Sequence, residues 1–209
     1  TFLLSLTFLF LFSGSVYGQE EVKREYWGNG KLRSETHYKN GKKEVTRRYW
    51  PYGKLGSEIH YKNGKEEVTR RYWGNGKLKS EEPYNGLATE WYKSGKKLSK
   101  AHHKNGKLEG LATGWYESGR KQNRLFFKNG KEDGQITKWY ESGRKKYEWH
   151  FKNGKEDGPV TEWYESGRKQ NRLFFKNGKL EGLATGWYES GEKRGETHYK
   201  NDKEEGLQT

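Results

Sequence analysis

Lysine is the residue whose spacing in this chain could do chemistry, and that chemistry is the capture of anions. Lys39, Lys62, Lys104, Lys128, Lys152, Lys176 and Lys200 each precede a short turn, and Lys42, Lys65, Lys107, Lys131, Lys155, Lys179 and Lys203 each follow it. A second set of turns is lined by Lys31, Lys54, Lys77, Lys96, Arg120, Arg144 and Arg168. Periodic cations beside aromatic rings suit a long polyanion. The same lysines suit another role equally well, because charge on loop edges blocks edge-to-edge association of sheets.

Other chemistries find less support. His37, His60, His102, His150 and His198 share one column, which Phe126 and Phe174 interrupt, and His103 stands beside it. Repeats about 9–10 Å apart cannot bring two column neighbours to one ion with bonds of about 2 Å. Glu117, Glu141, Glu165 and Glu189 recur at one turn, and Glu132-Asp133 and Glu156-Asp157 after the other. Such recurrence is unlike a catalytic dyad, which needs one singular pair with divergent pKa values. It fits cross-strand ion pairs with Lys and Arg, each worth little on a surface. The Lys-Glu-Asp-Gly turn lacks the further oxygen ligands that calcium takes. The chain has no cysteine, which excludes disulfides, thiolate metal sites and a cysteine nucleophile. With no phosphate-cradling loop, nucleophile elbow or zinc motif either, the chain reads as non-enzymatic, without catalytic residues, metal site or cofactor.

What positions these side chains is a repeated phrase, aromatic–aromatic–x–x–Gly–basic followed by x5–aromatic–Lys–Asn–Gly–Lys. Its first-turn glycines, Gly30, Gly53, Gly76, Gly95, Gly119, Gly143, Gly167 and Gly191, are spaced 23, 23, 19 and then 24 residues apart. A fixed period of this size marks a repeat architecture. Asn-Gly favours a type I′ hairpin turn, and the stretches between turns are rich in Thr, Trp, Tyr, Phe and Leu, as strands are. The expected fold is all-β, an elongated single-layer antiparallel β-meander with two strands per unit. Aligned units give one column of Tyr26, Tyr49, Tyr72, Trp91, Trp115, Trp139, Trp163 and Trp187. Its neighbour holds Trp27, Trp50, Trp73, Tyr92, Tyr116, Tyr140, Tyr164 and Tyr188. A third runs Tyr38, Tyr61, Tyr84, His103, Phe127, Phe151, Phe175 and Tyr199. These columns are ladder packing, and the Trp91–Trp187 row with Tyr116, Tyr140 and Tyr164 is also the candidate stacking surface. The order Tyr-Trp becomes Trp-Tyr at the one short unit, which predicts a break near residues 82–88. Trp115–Lys131 recurs as Trp163–Lys179, a sign of units copied within the chain.

Residues 2–12 form an apolar run, followed by Ser13-Gly14-Ser15-Val16-Tyr17-Gly18 and the charged Glu20-Glu21. The run is too short to span a bilayer, and its flanks fit a signal peptide over residues 1–18, cut after Gly18. Residues 19–24 then form a short linker to an array over 25–209 of about eight units. The chain starts without methionine and stops at Glu205-Gly206-Leu207-Gln208-Thr209, which matches Glu109-Gly110-Leu111-Ala112-Thr113, so the reading is of a sequence cut at both ends. Only 29% of the residues are hydrophobic, yet 16% are aromatic, and periodic aromatics allow order where low hydrophobicity alone would mean disorder. The net charge of +14 falls wholly on the array, since residues 1–18 carry no charged side chain.

The Trp-Tyr-x-x-Gly-Lys/Arg … Phe/Tyr-Lys-Asn-Gly-Lys-x-x-Gly phrase resembles the MORN-repeat variant, the repeat type of proteins labelled YwqK-family antitoxins. The resemblance covers about residues 25–209. It implies single-layer β-meanders, no catalytic residues, and roles in phospholipid binding, protein scaffolding or toxin neutralisation. Two functions follow as expectations. One is an exported binding or scaffold protein that takes a protein partner or an anionic envelope component, lipid headgroup or polysaccharide, through its basic turn edges and aromatic rows. The other is an antitoxin or immunity protein that sequesters a toxin. Nucleic acid suits the charge but not export.

Overall fold

The computed structural model describes residues 18–205, so the expected signal peptide lies outside it except for Gly18. Every regular element among the described residues is a strand, and every pairing is antiparallel. No helix there is long and apolar enough to cross a membrane. The chain divides into two compact units, one ending at Gly95 and the other beginning at Lys96. The short stretch at residues 82–88 lies inside the first of them.

In the first unit β1 (Glu20–Tyr26), β2 (Leu32–Lys39), β3 (Lys42–Tyr49), β4 (Leu55–Lys62), β5 (Lys65–Tyr72), β6 (Leu78–Pro83) and β7 (Gly86–Trp91) pair in chain order. In the second, β8 (Lys97–Lys104), β11 (Lys121–Lys128), β14 (Lys145–Lys152), β17 (Lys169–Lys176) and β20 (Lys193–Lys200) are unbroken. Each of the first four is followed by a return strand in two pieces: β9 (Lys107–Leu108) with β10 (Gly110–Trp115), β12 (Lys131–Glu132) with β13 (Gly134–Trp139), β15 (Lys155–Glu156) with β16 (Gly158–Trp163), and β18 (Lys179–Leu180) with β19 (Gly182–Trp187). After β20 comes β21 (Lys203–Glu205).

The two turns of each unit differ in kind. At Lys-Asn-Gly-Lys both central residues take positive φ, as at Asn129 (52°) and Gly130 (80°), which is the conformation a type I′ turn requires. At the other turn only the glycine does. Gly119 (φ 91°) donates its N–H to Tyr116 O at 2.8 Å, and Tyr116 N–H donates to Arg120 O at 2.9 Å. This is a tight turn closed by a glycine bulge. Asn29 and Asn75 therefore keep ordinary φ despite preceding glycine, and their side chains instead accept the N–H groups of Lys31 and Lys77 at 3.1 and 3.0 Å.

The broken return strand explains the two repeat lengths. In the first unit the register skips one residue beyond each Lys-Asn-Gly-Lys turn: His37 faces Val45, but Tyr38 faces Lys43, leaving Glu44 over. In the second unit two residues are skipped. Arg124 faces Thr137 while Phe127 faces Glu132, because Asp133 and the positive-φ Gly134 are both inserted. One added bulge residue converts a 23-residue unit into a 24-residue one. The acidic member of the bulge also supports the next unit, since Glu109, Asp133, Asp157 and Glu181 accept the backbone N–H of Asn129, Asn153, Asn177 and Asn201 at 2.7–3.3 Å.

Without a second layer, burial is confined to rows along a face. In the second unit Ala112–Leu125, Ile136–Trp149 and Val160–Leu173 are cross-strand pairs on one face, with Ile136 and Val160 buried. Tyr147 stacks on Trp149 at 4.8 Å between centroids, and Lys138 Nζ lies 5.1 Å over the same indole.

The exchange of Tyr-Trp for Trp-Tyr has a structural reason too. Trp27 and Trp73 Nε1 donate to the carbonyls of Tyr49 and Trp91 at 3.2 and 3.3 Å. Tyr116, Tyr140 and Tyr164 hydroxyls do the same to Trp139, Trp163 and Trp187, each at 2.8 Å. Indole N–H and phenol O–H are interchangeable donors in one bond between successive repeats. Burial, and then the neighbouring Tyr147 and Glu165, holds the Tyr140 hydroxyl above the usual phenol pKa, so it stays protonated and donating. Tyr140→Phe is expected to lower stability by about 1 kcal/mol, the usual net worth of such a bond, and urea unfolding would measure it. A variant as stable as the parent would show that this link contributes nothing.

Candidate functional site

The second-turn lysines face one another across their hairpins. Lys39–Lys42, Lys62–Lys65, Lys104–Lys107, Lys128–Lys131, Lys152–Lys155, Lys176–Lys179 and Lys200–Lys203 are register partners. All are exposed. Among the described residues two of them reach a carboxylate, Lys62 to Glu67 and Lys200 to Glu205, each at 3.8 Å. Like charges directly opposite on a strand pair are destabilising. A Cβ on Gly130, Gly154 or Gly178 would touch the side chain of Lys107, Lys131 or Lys155 at 3.6–3.9 Å, so these three side chains start out beside the following hairpin.

At the first-turn edge the basic residues brace the repeats. Arg120, Arg144 and Arg168 Nη1 donate to the carbonyls of Glu141, Glu165 and Glu189 at 2.8–2.9 Å, and Lys77 Nζ to Ser94 O at 3.1 Å. These side chains remain exposed, but part of their donor capacity is committed within the chain. The row Trp91, Trp115, Trp139, Trp163 and Trp187 is half-buried, as are Tyr116, Tyr140 and Tyr164, whose hydroxyls are engaged as above. More open aromatic surface lies at Trp50 and Tyr52, 42% and 52% exposed, with rings 6.3 Å apart and 7° from parallel. Two departures from the phrase mark that place in the sequence. Pro51-Tyr52 replaces the Gly-Asn of the neighbouring turns, and Gly56 stands where they have Arg33 and Lys79.

His37 and His60 sit on β2 and β4 with Val45 of β3 between them in register, so the column places them two strands apart. Each lies beside a carboxylate, His37 Nε2 at 3.6 Å from Glu35 and His60 Nε2 at 3.5 Å from Glu58. Among the described residues no three acidic or histidine side chains converge as metal ligands would.

These carboxylates belong to a ladder that column reasoning missed. Arg24, Glu35, Arg47, Glu58, Arg70 and Glu81 are successive register partners across β1–β6. Their ion pairs run from 2.6 to 3.6 Å, and the Glu35 and Glu58 side chains are 12% exposed. Tyr49 and Tyr72 hydroxyls donate to Glu35 and Glu58 at 2.9 and 3.0 Å. Burial alone raises both carboxyl pKa values, but hydrogen bonds from tyrosine and arginine, helped by the adjacent histidine, outweigh it and leave both below the usual glutamate value. This face of the first unit neutralises itself, whereas the lysine edge does not.

Residues 22–40, 68–85, 84–105, 132–153, 156–177 and 180–201 match the family described as MORN repeat variant, and together they make up more than half of the chain. No curated protein matches it. Because the matched segments cover more than half of it, the chain belongs to the MORN repeat variant family.

Proposed function

We propose that this protein is an exported, non-enzymatic binding module whose second-turn edge takes a polyanionic partner, an acidic polysaccharide or an anionic headgroup surface. MORN repeats point to a binding or scaffold role. The observation that carries the finer reading is the set of seven opposed Lys–Lys pairs, two of which reach a carboxylate among the described residues. An anion laid along the edge within either compact unit relieves that repulsion. Successive hairpins about 9–10 Å apart make the site multivalent, so affinity rises with the number of repeats engaged.

Titration with inorganic polyphosphate at several NaCl concentrations tests this. The expected result is affinity that falls steeply with salt. Replacing Lys128, Lys131, Lys152 and Lys155 by glutamine is expected to reduce the log–log slope by about 3, on the scale of about 0.7 per contact known for single-stranded polyanions. Binding that ignores salt, or an unchanged slope in the variant, defeats the proposal. A single salt-resistant protein partner at fixed stoichiometry would favour toxin neutralisation instead.

A further inference from the structure

We infer that Trp50 and Tyr52 form a sugar-stacking platform, which makes the polyanion of the proposed function an acidic polysaccharide; the inference rests on that reading for its charge and its exported setting. Three successive first turns permit an internal comparison. In Trp27-Gly28-Asn29-Gly30 the indole is covered by a cation of the same unit, Arg33 at 5.1 Å from the ring centroid. In Trp73-Gly74-Asn75-Gly76 it is covered by Lys79 at 4.8 Å. In Trp50-Pro51-Tyr52-Gly53 the corresponding residue is Gly56, which has no side chain to offer.

The indole occupies the space so released. A Cβ on Gly56 would lie 3.1 Å from Trp50 Nε1 and 3.2 Å from Cε2, and a Cβ on Gly74 would lie 2.5 Å from the Tyr52 hydroxyl oxygen. Neither glycine has positive φ, so neither is there to serve the backbone. What both permit is an aromatic ring laid against the chain. The turn holds the pair in place: Pro51 fixes its own φ at the second turn position, Gly53 N–H donates to Trp50 O at 2.7 Å, and Asn29 Nδ2 donates to Pro51 O at 3.1 Å.

The indole lies against Gly56 at Nε1 and Cε2, the tip of Tyr52 lies against Gly74, and much of both side chains remains exposed. Their 6.3 Å separation and 7° tilt form an offset pair rather than a slot that could clasp one flat ring from both sides. The negative π face complements the C–H face of a sugar ring, and neighbouring rings can take neighbouring sugars of a chain. Cations flank the platform, with the Lys31 stem 4.0 Å from the Cβ position of Gly53, and Lys54 directly following it. Carboxylated sugars satisfy both features. A lipid headgroup or polyphosphate would use only the charges.

The test compares polygalacturonate with inorganic polyphosphate, using the full chain. Trp50→Ala and Tyr52→Ala are each expected to weaken polygalacturonate binding about tenfold, in the range of aromatic stacking, and to leave polyphosphate binding unchanged. Gly56→Lys gives a sharper result. It adds a cation yet displaces the indole, so polygalacturonate binding should fall while polyphosphate binding holds or rises. The platform is refuted if all three variants bind polygalacturonate as the parent does, or if they lose both polymers equally. It is also refuted if the loss appears on an oligothymidylate and not on polygalacturonate. Polyphosphate bound without polygalacturonate leaves the lysine edge standing and removes the platform; if the parent binds neither polymer, both readings fail.

Discussion

Ile136→Ala is expected to lower the stability of the second unit by about 3 kcal/mol, within the range for truncating a buried isoleucine. Its side chain is 2% exposed and faces Trp149 across β13 and β14, where Tyr147 stacks on the indole and Lys138 Nζ lies over it. A sheet without a second layer has few such positions. Among the described residues the buried hydrophobic side chains are Ala88, Ile136 and Val160. The hydrophobic contribution is thus concentrated, and a cavity beneath Trp149 has no opposing layer to collapse into it. Leu111→Ala is the internal control. That residue is 43% exposed, so its loss should stay within about 0.5 kcal/mol, as surface substitutions do. Urea unfolding followed by tryptophan fluorescence separates the two. Equal effects at Ile136 and Leu111 would mean that the row is not a core.

The repeat, its two turns and its strands were legible because each rests on local chemistry. Asn-Gly pairs announce positive φ, and Thr- and aromatic-rich stretches announce strands. What could not be read was register. The bulge depends on how many residues the returning strand skips, and Glu44 looks no different in sequence from a paired strand residue. Without the register, the Arg24–Glu81 ladder stays hidden, because its members come from different positions of alternating strands rather than from one aligned column. The lysine pairs escape that difficulty. They lie immediately either side of a turn whose geometry fixes their partnership, so Lys128 and Lys131 could be placed opposite each other before any strand was aligned. The Trp50–Tyr52 platform carried a signal of another kind, a departure from the phrase. Columns draw the eye to what repeats, and Gly56 matters because it does not.

Glu58→Ala is expected to cost about 2 kcal/mol, the scale of hydrogen bonds to a charged group, because it leaves Arg47, Arg70 and the Tyr72 hydroxyl without their shared acceptor. The same site governs the response to acid. Burial pushes the Glu35 and Glu58 carboxyls up, but the hydrogen bonds from Tyr49 and Arg47, and from Tyr72 and Arg70, hold both below the usual value. A folded-state pKa below the unfolded one means that the unfolded chain takes up protons first as pH falls. The stabilisation is therefore complete above about pH 4.3, the ordinary glutamate value, and disappears as pH drops through the folded values. In the second unit Glu156 has the opposite sign. Burial, reinforced by the charge of Glu132, raises its pKa, so its contribution is present below the ordinary value and lost as pH rises through the folded one. Hydrogen exchange read on peptides from β2–β5 should show opening that grows between pH 5 and 3 in the parent. A Glu35→Gln, Glu58→Gln protein should open more at pH 7 and change little with acid. If the parent's β2–β5 peptides exchange no faster at pH 3 than the intrinsic rate change requires, the Arg–Glu ladder is decoration on a sheet held by other forces.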